Sequence, residues 1–191
     1  MHLTPRSLTG RHVILELIEE AHREPLRAAA NDPETWRFNP TRADGPHFDP
    51  EFNRHLADHA AGTRIVHTVR RRVDNTLVGQ TSYMNISPND RRVEIGSTWY
   101  VAEARGGAIN PACKLLLLAN AFAAGAIRVE LKTDARNLRS RAAIRKLGAI
   151  EEGALRRHTR MWDGFMRDTV YYSILEDEWS VVREKLEERT R

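Results

Sequence analysis

Residues 95–122 constrain the fold more than any other stretch. Ile95-Gly96-Ser97-Thr98-Trp99-Tyr100-Val101 has the character of a strand. Arg105-Gly106-Gly107-Ala108-Ile109-Asn110-Pro111 is a loop of mostly small residues. Residues 112–122 then run apolar almost without a polar face. A helix that is apolar nearly all round must be buried, so this one belongs against a sheet at the centre of the core. The loop that opens it leaves the first backbone N–H groups of the helix without partners, at the positive end of the helix dipole. Small side chains let a ligand approach those groups closely, and the natural guest is a phosphate or pyrophosphate. Pro111 suits an early helical position, which has no hydrogen bond to lose. The same strand–loop–helix pattern also serves as a plain connection in many α/β proteins, so the loop alone leaves both readings open.

The rest of the chain supplies the context. Residues 1–10 form an opening segment ending at Gly10, and 12–18 read as a first strand. A helix over 19–30 is stopped by Asn31-Asp32-Pro33. An irregular stretch, 34–50, carries Trp36, Phe38, His47 and Phe48. Most of these aromatics are expected to pack under the loop, with Trp36 as a candidate for a ligand cleft. A second helix is expected over 51–61. Alternating strands over 64–73 and 77–86 form a hairpin around Asp74-Asn75-Thr76. In the strand 91–101, simple alternation puts Val93, Ile95, Ser97 and Trp99 on one face and Glu94, Gly96, Thr98 and Tyr100 on the other. A glycine inside a strand marks a bulge or a close approach by another backbone, so Gly96 is where a ligand could pair.

The buried helix, 111–124, ends at Gly125, and 128–133 is the next strand. A strand, a helix and a strand with a short return make these two strands parallel. A helix over 138–147 is closed by Gly148, a second hairpin spans 149–162 and 167–175, and a charged helix covers 178–189. Nothing in the pattern suggests a repeat or a boundary, so residues 1–191 are expected to form a single α+β domain.

Composition narrows the function. No apolar run approaches the ~20 residues needed to cross a bilayer. The N-terminus lacks a basic-then-apolar signal pattern, and the one cysteine, Cys113, excludes an internal disulfide. A cytoplasmic location is the expectation. The net charge is +4, but 26 of the 30 basic residues are Arg and they are scattered, with no aromatic–basic stripe. No nucleic acid and no membrane partner are expected; a mildly basic surface attracts a polyanionic small molecule instead. His67 reads as an ordinary strand residue, since no second ligand lies at metal spacing, and no metal is expected.

Three further stretches carry a resemblance. They are Glu94-Ile95-Gly96; the run 133–149, with Asn137, Ser140 and Lys146-Leu147-Gly148; and the run 162–175 from Trp162-Asp163-Gly164, closed by Glu178-Trp179. With the order β-α-α-β-β-β-α-β-α-β-β, they resemble the GNAT superfamily of acyl-CoA-dependent N-acetyltransferases over about residues 13–179. The branch most resembled is the RimJ/RimL type that acetylates ribosomal-protein N-termini. The family's loop pattern R/Q-x-x-G-x-G/A stands here as Arg105-x-x-Ala108-x-Asn110, with the glycines moved to Gly106 and Gly107.

The resemblance implies an α/β three-layer sandwich, the acyl-CoA N-acyltransferase fold, with a mixed, mostly antiparallel sheet splayed between its fourth and fifth strands. It implies acetyl-CoA as cofactor and direct attack by an amine in a ternary complex. The expected acceptor is a peptide or protein α-amine. The alternatives are a small amine (antibiotic, polyamine, amino acid) or a non-catalytic CoA-binding module. A homodimer is compatible with it.

Residue by residue, Arg105, Gly106, Gly107, Ala108, Ile109 and Asn110 would bind the pyrophosphate, with the Arg105 side chain as an ion partner and Asn110 as a helix cap. Trp99, Tyr100 and Val101 would pair with the pantetheine amides like an added strand. An amide near Thr98 or Trp99 would donate to the thioester oxygen. Glu94 is the base candidate, weighed against a surface carboxylate paired with Arg92 or Arg128. Ser140 is the acid candidate for the thiolate and Asn137 positions the cofactor. The alternative for Ser140 is a plain first-turn residue bonded to the backbone. Tyr100 is a second acid candidate, and Cys113 is read as core.

Overall fold

The computed structural model describes residues 1–191. It contains strands β1 (Leu8–Thr9), β2 (Val13–Leu17), β3 (Ile65–Arg71), β4 (Thr76–Ser87), β5 (Arg92–Tyr100), β6 (Arg128–Asp134), β7 (Ile150–Arg160) and β8 (Met166–Leu175). The helices are α1 (Arg23–Ala29), α2 (Phe48–Ala60), α3 (Ile109–Ala123), α4 (Leu138–Leu147) and α5 (Trp179–Glu188). All strands join one sheet in the order β1-β2-β3-β4-β5-β6-β8-β7. Only β5 and β6 run parallel, as the strand–helix–strand pattern requires. None of the helices is long and apolar enough to cross a membrane.

Both faces of the sheet are covered. Along β3, Ile65 and Val69 enter a core of 29 buried residues with α3 and α5, while Val66 enters a second core of ten with α1 and α2. Successive strand residues point to opposite faces, so these are two layers of helix on one sheet. Leu117 and Leu118 of α3 are wholly buried.

Four details depart from the sequence reading, besides the 3-10 turn over Glu20–His22 that opens the helix expected at 19–30. A two-residue strand, β1, forms inside the opening segment by pairing with β2. Helix α2 starts at Phe48 rather than 51, continuing a turn of 3-10 helix over Gly45–His47. Helix α3 starts at Ile109, so Asn110 lies inside its first turn and Ala108 takes the cap position. The fourth departure is in β5. Ser82 pairs with Gly96 but Gln80 pairs with Trp99, so Ser97 and Thr98 together oppose Thr81. This is a β-bulge, and Ser97 adopts φ +50 to make it. The extra residue inverts the alternation beyond it. Tyr100 joins Val93 and Ile95 in the larger core, and Trp99 turns to the smaller one.

The pairing of β5 with β6 is short. It covers Arg92 with Arg128, Val93 with Val129 and Glu94 with Glu130, and then stops. Beyond Glu94 the two strands run on unpaired, which is the expected splay between the fourth and fifth strands of the sequence reading.

Candidate active site

The splay opens into a cavity of about 530 Å³, a size usual for a ligand site. Of the residues singled out from sequence, Glu94, Trp99, Tyr100, Arg105, Gly106, Asn110, Asn137 and Ser140 line it. Val101, Gly107, Ala108 and Ile109 do not. Ile109 packs in the larger core. The Val101 N–H is spent on the Val78 carbonyl at 2.9 Å, so only its own carbonyl is left for a ligand.

At the mouth of α3, the amides of Gly106 through Asn110 donate to no carbonyl of the protein. Gly106 holds φ +80, which a residue with a side chain adopts only at a cost, and nothing lies within 4 Å of where its Cβ would stand. The loop is therefore both open and rich in free donors. It fits the diphosphate of a nucleotide carrier, and no acidic side chain lies among these residues to repel one.

Two loop side chains do something other than the sequence suggested. Arg105 donates from Nε to the Tyr100 carbonyl at 2.9 Å and from a terminal nitrogen to Thr35 Oγ1 at 2.6 Å, with the Asp32 carboxylate 3.9 Å away. Its fork ties the loop to the 3-10 turn over Pro33–Trp36 rather than standing free as an ion partner. Burial lowers its pKa, and the nearby charge of Arg139, which also lines the cavity, adds to that effect. Asn110 does not cap α3. Its Oδ1 accepts from the Tyr100 hydroxyl at 3.3 Å. Burial pushes the Tyr100 phenol well above its ordinary pKa, so the group stays neutral and donating. Burial also pushes the Cys113 thiol up to about 11, and it remains a core residue.

Glu94 is not a surface carboxylate. It is 1% exposed. Arg92 and Arg128 reach Glu130 instead, at 3.8 and 2.8 Å. Glu94 Oε2 is held by Lys132 Nζ at 2.9 Å and accepts from Asn85 Nδ2 at 2.7 Å, while Oε1 receives no donor. A Cβ on Gly96 would stand 2.7 Å from Oε1, so the glycine leaves the room that this oxygen occupies.

Asn137 caps α4, its Oδ1 accepting from the Ser140 amide at 3.0 Å. The plain first-turn bond considered for Ser140 thus exists, but it uses the backbone of Ser140. The serine hydroxyl and the Asn137 Nδ2 remain free to face the cavity.

Trp36 is both packed and lining: it lies against Trp99 with ring centroids 5.4 Å apart and borders the cavity. Below the bulge a polar relay runs inward. Trp99 Nε1 donates to Gln80 Oε1 at 3.3 Å, and Gln80 Nε2 meets His55 Nδ1 at 3.1 Å. Burial pushes His55 down to about 4, so the ring is neutral and Nδ1 accepts.

Sequence reasoning missed the cationic lining. Seven Arg and Lys side chains border the cavity against three Glu. Lys114, on α3, is 5% exposed and stands among them. A lysine inside so apolar a helix was the available signal. Elsewhere, His67 is buried, bonds the Arg6 carbonyl through Nε2 at 3.0 Å and is pushed down to about 4 by burial. It is a structural residue of the strand.

A mixed sheet parted beside a bulge, with free amides at the mouth of the following helix, defines an acyl-CoA N-acyltransferase fold. The family model for the acetyltransferase (GNAT) domain matches residues 12–150, and the chain belongs to that family. The crystal structure of a putative acetyltransferase from T. thermophilus is 34% identical, with 100% of both chains covered and a TM-score of 0.89. The Bacillus subtilis (strain 168) protein named "Putative ribosomal N-acetyltransferase YdaF" is 35% identical over 107 residues; the match spans 56% of this chain and 57% of that protein. Mycobacterium smegmatis RimJ, solved in complex with CoA-disulfide, has a TM-score of 0.83 over 98% of this chain and 97% of its own; at 21% identity it shows the shared fold alone.

Proposed function

We propose that the protein transfers an acetyl group from acetyl-CoA to a peptide or protein α-amine, by direct attack in a ternary complex. The observation that carries the reading is the row of unpartnered amides from Gly106 to Asn110, whose two end residues line the cavity that holds the buried Glu94 carboxylate. Acetyl-CoA, when bound, supplies the thioester whose carbonyl carbon takes the amine.

The chain's own residues do the rest. The free amides of the α3 mouth hold the diphosphate. Asn137 Nδ2 would donate to the pantetheine arm, for which β5 offers the edge turned away from β4 at Trp99 and Tyr100, with the Tyr100 carbonyl there already taken by Arg105 Nε. An amide of the bulge at Thr98 or Trp99 donates to the thioester oxygen, where negative charge grows. Glu94 Oε1, the oxygen without a donor, takes the proton that an ammonium must lose before it can attack, directly or through one water. The Ser140 hydroxyl donates to the leaving sulfur.

The lining charges bear on the acceptor. A polyamine or an aminoglycoside carries several cations and would meet a wall on which seven Arg and Lys outnumber three Glu. A peptide terminus brings one ammonium and several carbonyl oxygens, which such a wall accommodates. The name of the B. subtilis relative, a ribosomal N-acetyltransferase, supports a ribosomal-protein terminus as the class. The test is release of free CoA across a panel of N-terminal peptides, polyamines, aminoglycosides and amino acids, with calorimetry for CoA itself. Acetylated peptides with inert polycations are expected. The reverse preference, or no binding of CoA, overturns the proposal.

A further inference from the structure

The group that the mechanism above leaves unused is Lys114. It sits one turn into α3, buried, with its Nζ 3.2 Å from Thr98 Oγ1. Thr98 is one of the two bulged residues of β5, and its hydroxyl lies 2.8 Å from Thr81 Oγ1 and 3.4 Å from the Gly96 carbonyl. So the ammonium is anchored directly on the bulge. Thr98 Oγ1 is its one hydrogen-bond acceptor, which leaves two N–H bonds unspent, and it forms no ion pair with any carboxylate. Of the other cations on the cavity wall, four lie beside a carboxylate, whereas buried Arg167, like Lys114, meets only neutral oxygens, and Arg64 Nη1 has no partner. Lys132 has Glu94, Arg54 has Glu51, and Arg64 and Arg105 lie near Asp58 and Asp32. Arg167 donates to Thr169 Oγ1 and to the Phe38 carbonyl.

A buried ammonium without a counter-charge is costly, and a leucine or methionine would fill the same place in an apolar helix at no such cost. We propose that Lys114 is the fixed positive charge that meets the sulfur of the acyl carrier and stabilises the thiolate as it leaves. The proposal rests on the acetyl-transfer reading above. As the amine nitrogen bonds the carbonyl carbon, the C–S bond breaks and its electron pair goes to sulfur. The proton that the nitrogen sheds as it becomes an amide goes to water, because Glu94 already carries the one taken before attack. Lys114 keeps its own proton and supplies charge alone, and the Ser140 hydroxyl, too weak an acid to deliver a proton by itself, is a second hydrogen-bond donor on the wall of the same cavity.

The titratable groups around the lysine do not compete for this role. Cys113 adjoins it on α3, and Tyr100 of β5 lies against Cys113; burial pushes both up, so both are neutral near pH 7. Burial pushes Lys114 itself down to about 8, which leaves it charged at neutral pH and losing its charge above that value.

The test needs no acceptor. Binding of CoA and of desulfo-CoA, which lacks the sulfur, is measured by calorimetry at pH 6 and pH 8 in the wild type and in Lys114→Met. The ionisation of bound CoA is followed by thiolate absorbance. An opposite charge lowers a thiol's pKa by roughly one to two units, and about half of Lys114 is charged at pH 8 before the thiolate binds, so the preference for CoA over desulfo-CoA should rise roughly two- to tenfold between the two pH values in the wild type. It should stay flat in the variant, with desulfo-CoA affinity unchanged. Lys114→Gln, neutral and polar, carries the same comparison should the methionine disturb folding. A preference that is flat in the wild type, or that rises equally without the lysine, overturns the role of Lys114 while leaving CoA binding standing. Failure of the wild type to bind either compound overturns the acetyl-transfer reading itself.

Discussion

Lys132 Nζ meets Glu94 Oε2 at 2.9 Å at the place where β5 and β6 cease to pair. Glu94 belongs to the last paired position of β5, and Lys132 stands two residues past its partner Glu130 on β6. The ion pair bridges the start of the splay and fixes the carboxylate with its second oxygen toward Gly96. A carboxylate buried this deeply needs such a partner, since an unpaired charge there would be expelled or protonated.

Glu94→Gln keeps the shape and the Asn85 contact but removes the base. Turnover is expected to fall by about 10²-fold, at the lower end of general-base effects, with little change in acetyl-CoA affinity. Steady-state kinetics beside calorimetry decides the matter. Undiminished turnover would show that positioning both substrates supplies most of the rate.

Asn137 has two separable jobs, because Oδ1 caps α4 while Nδ2 is free. Asn137→Asp keeps the cap acceptor and loses the donor, so cofactor affinity should drop with the melting temperature held. Asn137→Ala loses both and should also cost about 1 kcal/mol of stability. Equal affinity for the cofactor in wild type and Asp variant would reduce Asn137 to a cap.

Gly106→Ala meets no steric obstacle, since open space surrounds the site, yet φ +80 disfavours any side chain. Strain of about 1 kcal/mol is expected, with weaker CoA binding because the amide row shifts. Denaturant melts and CoA titrations on the same samples would expose a loop that tolerates alanine without loss, and with it an error in the diphosphate assignment.

His67 predicts a pH dependence. Its folded pKa is about 4 because of burial, against about 6.5 for an exposed histidine. The unfolded chain takes up a proton below about 6.5 that the folded chain refuses until about 4. Stability from this group is therefore present above 6.5 and is lost as pH falls through that window. The loss should reach about 2 kcal/mol between pH 7 and pH 4.5. Urea melts of His67→Leu at both values should show a shallower slope than wild type, and a parallel slope would clear His67 of responsibility.

Much of this architecture is written in local sequence pattern. Helix α4 occupies 138–147 as the closing Gly148 foretells, and β8 turns Val170, Tyr172 and Ile174 inward as alternation foretells. The parallel pair, the loop and the apolar helix follow from periodicity and connection length. These features depend on residues adjacent in the chain: periodicity, caps and turns are short-range physics. The bulge at Ser97 is different. It arises where β5 must pair with β4 one residue out of step, and it alone decides that Trp99 and Tyr100 face opposite ways from simple alternation. The partner of Glu94, the tether of Arg105 to Thr35 and the burial of Lys114 beneath Thr98 likewise join positions far apart along the chain. Which charges are paired and which stand unpaired in the cavity is set only when the sheet parts and the helices close over it, because desolvation and contact exist only in the folded molecule.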